Sequence, residues 1–76
     1  GKEAYRLEAE PLEGALALLK TLPQVASARL QGRSVVFEGE PEAALRALLA
    51  EGYRVRALAP HRFDLLDYYQ ERVRHV

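Results

Sequence analysis

The chain has 76 residues, eleven basic and eleven acidic side chains and a formal charge of zero, which suits one small domain and supplies no global field to draw it to nucleic acid or an anionic membrane. It has no cysteine and no methionine, so a disulfide framework, a thiolate nucleophile and a thiolate or thioether metal site are all excluded. No apolar run approaches the roughly 18–20 residues that cross a bilayer, and the opening GKEAYRL has no charged-then-apolar signal pattern; a cytoplasmic domain without membrane insertion is expected, and the initial glycine suggests a piece of a longer protein.

In chain order, Glu3 to Ala9 alternates, with Tyr5, Leu7 and Ala9 on one side and Arg6 and Glu8 on the other, the period of a half-buried strand. Pro11 is expected at the first position of a helix whose stripe is Leu12, Ala15, Leu16, Leu19 and Leu22, ending near Thr21 before Pro23. Gly14 interrupts that helix at a cost of up to about 1 kcal/mol relative to alanine; it either permits close packing against a strand or is simply tolerated. Val25–Leu30 reads as a second strand, Gln31–Arg33 as a turn in which Gly32 takes a positive φ, and Ser34–Glu38 as a third strand rich in β-branched and aromatic residues.

Glu40 and Pro41 open a second helix with its stripe at Ala44, Leu45, Leu48 and Leu49, and Gly52 stands where a left-handed C-terminal cap belongs. Tyr53, Val55 and Ala57 then alternate with Arg54 and Arg56 in a fourth strand. The order β-α-β-β-α-β implies an α+β, ferredoxin-like two-layer sandwich, a four-stranded antiparallel sheet covered on one face by two helices. This core is expected over residues 3–59, within a single domain of 1–76. After Pro60, the spacing of Leu65, Leu66, Tyr69 and Val73 predicts a third helix over 63–75, with Asp64 and Asp67 near its positive end and Arg72, Arg74 and His75 near its negative end.

Few residue groups suggest chemistry. Glu8, Glu10 and Glu13 are candidates for a hard-cation site, but carboxylates at a helix start more often serve the helix dipole. His61 and His75 are the only imidazoles, and neither has the spacing of a zinc site or a catalytic triad. Asp64 and Asp67 share a turn as an acid and base pair would, though acidic residues there also stabilise the helix. Tyr5 and Phe37 lie on the expected central strands, where RNA-recognition modules stack bases, yet GRSVVFEG lacks their basic aromatic motif. Arg29, Arg33, Arg54 and Arg56 are expected along the open face of the sheet. The phosphate-loop pattern GxxxxGK[ST] is absent.

Two resemblances bear on function. LPQVASARL, followed by a hairpin, a helix and AEGYRV, resembles the heavy-metal-associated domains; their paired metal-binding cysteines would fall in Ala9–Gly14, where this chain has AEPLEG. More extensively, DLLDYYQERV resembles the closing stretch of many bacterial ABC transporter ATP-binding subunits, a pattern near SLEDVFLELT, with Leu65 at the leucine, Asp67 at the acid, Tyr69 at the aromatic and Glu71 at a further acid. Upstream, LEGALALLKTLPQVASARLQGRSVVFEG resembles the C-terminal extension that precedes that stretch. Leu66 stands in place of a customary glutamate and Gln24 where glycine is common.

The second resemblance implies a non-catalytic regulatory or interaction domain. It would bind no cofactor, while the parent would use ATP and magnesium. Its partners would be the ATP-binding core of the same chain, a second copy and, indirectly, the transporter's membrane subunit at the inner face of the cell membrane. Leu65, Asp67, Tyr69 and Val73 are the candidate interaction residues. The alternative is a stand-alone module that binds a small ligand but no soft metal.

Overall fold

The computed structural model describes residues 3–61. The expected third helix, with Leu65, Asp67, Tyr69 and Val73, lies outside them. Six elements follow in the order β1 (Ala4–Glu10), α1 (Leu12–Thr21), β2 (Val25–Gln31), β3 (Ser34–Gly39), α2 (Pro41–Ala50) and β4 (Arg54–Pro60). The strands form an antiparallel sheet in the order β2-β3-β1-β4, the ferredoxin-like α+β arrangement.

Alternation along the central strands places the core. Leu7 pairs with Val35 and Tyr5 with Phe37, so one row of β1 and one row of β3 face the helices together. Leu7, Val35, Phe37, Leu19 of α1 and Leu48 of α2 are fully buried there, with Ala15 and Ala44 allowing each helix close approach. The Tyr5 and Phe37 rings stack at 5.7 Å between centroids and 30° between planes. Helix α1 lies chiefly over β2, with contacts to β1 and β3, while α2 lies over β4.

The element ends follow from local chemistry. Pro41 opens α2 behind Glu40 as expected, whereas Pro11 precedes α1 with extended backbone and caps it from outside. Its carbonyl accepts the Ala15 N–H at 3.0 Å, so the proline starts the helix without entering it. At the end of α2, Gly52 has φ +84, its N–H donates to the Leu49 carbonyl at 3.1 Å, and the Tyr53 N–H donates to the Leu48 carbonyl at 2.9 Å. These paired bonds make a Schellman cap, in which the left-handed residue is glycine because it has no Cβ to clash. In the hairpin, Gln31 pairs with Ser34, leaving a two-residue loop with Gly32 at φ +62, as in a type II′ turn.

Three further expectations change with the tertiary structure. Val55 pairs with Ala9 but Ala57 pairs with Glu8, so Arg56 is an extra residue, a bulge that reverses the alternation of β4. Ala57 therefore turns outward and is exposed, and Leu58, opposite Leu7, takes the core side. Leu49 belongs to the apolar stripe by spacing but is 56% exposed, because α2 buries Ala44 and Leu48 and Leu49 lies about 100° further round the helix than Leu48. Arg33 sits in the hairpin loop and not on the sheet face.

The stretch joining α1 to the sheet is held by close backbone contact. Gly39 pairs with Val25, and the neighbouring Glu40 N–H donates to the Gln24 carbonyl at 3.1 Å. A Cβ on Gly39 would collide with that carbonyl and with the Val25 Cα, so only glycine lets these segments meet. Gly14 has a side-chain reason instead. An added Cβ would fall 2.6 Å from the Tyr53 hydroxyl, so the phenol ahead of β4 occupies the room that the helix leaves.

Candidate functional site

The face of the sheet opposite the helices is the surface on which binding residues would converge. Register sets its composition, since antiparallel partners point to the same side. Ala4 pairs with Glu38, and Glu38 with Ser27. The next row aligns Arg29, Val36, Arg6 and Ala59. Further along β1 come Glu8 and Glu10, opposite Ala57 and Arg54.

Charges of both signs interleave here. Arg56, displaced by the bulge, reaches back to Glu10 at 2.9 Å, with both side chains more than half exposed. Such a pair contributes at most about 1 kcal/mol because water screens it. Val36 is 5% exposed although it faces away from the core. It is flanked in register by Arg6 and Arg29, whose methylene stems are long enough to lie over a neighbouring valine.

Where the first of these rows meets His61, a cavity of about 150 Å³ is lined by Ala4, Ser27, Arg29, Val36, Glu38 and His61. The His61 N–H donates to the Ala4 carbonyl at 2.8 Å, which extends the β1–β4 ladder and holds His61 at the cavity wall. A guanidinium, a hydroxyl, a carboxylate and an imidazole thus border one small hollow. Ser27 and Arg29 share one face of β2 because they are two residues apart on the strand. Their meeting with Glu38 and His61 depended on a register that the sequence did not display.

The other candidates separate. Glu8 and Glu10 lie on the open face, while Glu13 stands in the first turn of α1, and among the described residues no three of His, Asp and Glu come together as a metal site. Tyr5 and Phe37 are on the central strands, but they face the helices, with Phe37 fully buried. The aromatic platform that base stacking needs is therefore turned away from the open face. Of the expected arginines, Arg29, Arg54 and Arg56 border that face and Arg6 joins them.

The Tyr5 hydroxyl donates to Glu3 Oε2 at 2.7 Å. This bond favours the protonated phenol and raises its pKa above the usual value, with burial and the Glu3 charge acting in the same direction. Among the described residues, no buried side-chain polar atom lacks a hydrogen-bond partner, so none is held unpaired for a ligand.

Asp64, Leu65, Asp67, Tyr69, Val73 and His75 lie outside the described residues. Compared with known proteins, the chain matches no protein family, no curated relative and no solved structure.

Proposed function

We propose that this chain is a non-catalytic accessory domain, of the kind that follows the nucleotide-binding core in ABC transporter ATP-binding subunits, and that it acts through protein contacts. The observation that carries this is the layout of Leu12–Gly39: a helix, the LPQV connection, a strand, a two-residue turn and a strand occur in the order that the resembling extension implies. The segment DLLDYYQERV then follows a four-stranded unit that is already complete. Leu65, Asp67, Tyr69 and Val73 would tether the domain to its own sheet or to a neighbouring subunit and so bias how two ATPase cores meet. ATP and magnesium would belong to the parent's core, at the cytoplasmic side of a transporter.

Removing residues 63–76 from the full-length parent tests this. The expected result is altered ATPase activity or altered subunit assembly while the domain keeps its fold. Unchanged activity and assembly defeat the proposal, as would a coding region that has no Walker and signature motifs upstream.

The cavity bounded by Ser27, Arg29, Glu38 and His61 favours a second reading, a small-ligand module. Arg29 and Glu38 offer opposite charges to a zwitterion such as an amino acid. A thermal-shift series of the 76-residue chain with amino acids, nucleotides and divalent ions separates the two, because the accessory-domain role expects no response.

A further inference from the structure

The two rims of the sheet are built differently. On β4, the extra residue at Arg56 twists the strand, Arg54 and Arg56 place charge along it, and Pro60 has no N–H to offer; each of these discourages another strand from adding. On β2, the irregularity near Ala26 is confined to the start of the strand, and Ser27–Gln31 pairs with β3 without interruption. That stretch has no proline and a single charge, Arg29. On its helix side, Leu30 is 45% exposed.

We propose that β2 is the contact between two copies of this chain, pairing antiparallel with its own counterpart about Ala28 and joining two sheets into one. This goes beyond the accessory-domain proposal, which commits to neither rim.

Register follows from the side chains. Paired residues must share a face, which leaves centres on Ser27, Ala28, Arg29 or Leu30 only as far as the two helical layers stay on the same side; a pair centred between residues would oppose an inward residue to an outward one. With the layers aligned, a centre on Arg29 sets two guanidinium groups directly opposite each other, which is destabilising. A centre on Leu30 limits pairing to Arg29–Gln31 because the hairpin turn begins at Gly32, and a centre on Ser27 draws the irregular Ala26 into the middle.

A centre on Ala28 also confines regular pairing to three residues, Ser27–Arg29, because Leu30 then meets the partner's irregular Ala26, but it keeps the arginines apart and, unlike the others, adds an attraction. Arg29 then stands opposite the partner's Ser27, and Ser27 is already in line with Glu38 within each chain. Arg29 and the partner's Glu38 are consequently two strand spacings apart, about 9.6 Å between Cα atoms, a span that extended arginine and glutamate side chains bridge across the small serine. The two-fold axis forms this pair twice. On the helix side, Ala28 meets Ala28 and the exposed Leu30 gains apolar neighbours.

Charge exchange gives the test, with sedimentation of the 76-residue chain read over a range of concentrations. The parent is expected to form dimers, and Arg29→Glu or Glu38→Arg alone is expected to weaken dimerisation by about tenfold or more, because each leaves like charges facing across the interface. Mixing the two variants restores both opposite-charge pairs, so a heterodimer as tight as the parent dimer is expected. No change inside one chain produces that complementarity. Arg29 and Glu38 are exposed, so both variants should fold, and amide protection within Ser27–Arg29 that rises with concentration gives an independent readout in the parent. A parent that stays monomeric, single variants that dimerise as it does, or a mixture without heterodimer overturns the proposal.

Discussion

Phe37 shows how much a single residue carries in a chain of this size. A domain of 76 residues has a total stability of roughly 4–11 kcal/mol on the usual per-residue scale, and truncating a buried phenylalanine costs about 3–5 kcal/mol. Phe37 is fully buried and stacked on Tyr5. Phe37→Ala is therefore expected to remove most of the stability, seen as a urea midpoint shifted far toward zero; a loss under about 1 kcal/mol would mean that the ring is not the centre of the core. Tyr5 has a different signature. Its folded pKa lies above the ordinary 10.0, so the native state holds this proton more firmly than the unfolded chain does. Its contribution is present in full below pH 10 and is lost as pH rises through the folded value. Denaturant titrations from pH 8 to 11 should show stability falling above about pH 10, and Tyr5→Phe should remove that component while leaving other alkaline titrations in place.

At the scale of elements, local patterns explain where helices and strands occur, and the caps explain where they stop. Gly52 is the clearest case, because the glycine seen in the sequence is the left-handed residue of a complete Schellman cap. Gly52→Ala places a Cβ in that conformation and should cost about 1–2 kcal/mol, read from thermal or urea unfolding, whereas Leu49→Gln on the exposed flank of the same helix should change stability by no more than about 0.5 kcal/mol. The contrast separates what shapes α2 from what merely matches its period. The fourth strand teaches the opposite lesson. Its alternation was legible through Val55, but the ladder with β1 takes in Arg56 as an extra residue, and from there Leu58 replaces Ala57 on the inner side. A bulge is a property of two strands, and periodicity within one strand does not contain it.

At the scale of the whole molecule, the buried cluster runs from Leu7 to Leu48 and is closed over by β4, which ends at Pro60. Among the described residues, 3–61, four strands and two helices form the sandwich. A chain ending at His61 should accordingly retain a cooperative unfolding transition and the strand signal in circular dichroism; a non-cooperative melt would show that the remaining segment completes the core. That a four-stranded sheet is formed by the described residues, ahead of Leu65, Asp67, Tyr69 and Val73 in the chain, is what motivates the proposed accessory role. The charge balance is also better understood from the assembled molecule. Net neutrality conceals an open face on which arginines and glutamates interleave, arranged by strand register into the Arg56–Glu10 pair and the hollow beside His61.

The sequence by itself determined the elements, their order, the glycine turns and the apolar rows of the central strands, because each depends on backbone conformations and repeats within a few residues. Tertiary structure decided which side of the sheet Tyr5 and Phe37 face, how β4 shifts its alternation, why Leu49 stays exposed, and that Ser27, Arg29, Glu38 and His61 border one cavity. Those outcomes depend on pairing between strands distant along the chain, where one added residue turns every later side chain to the other face.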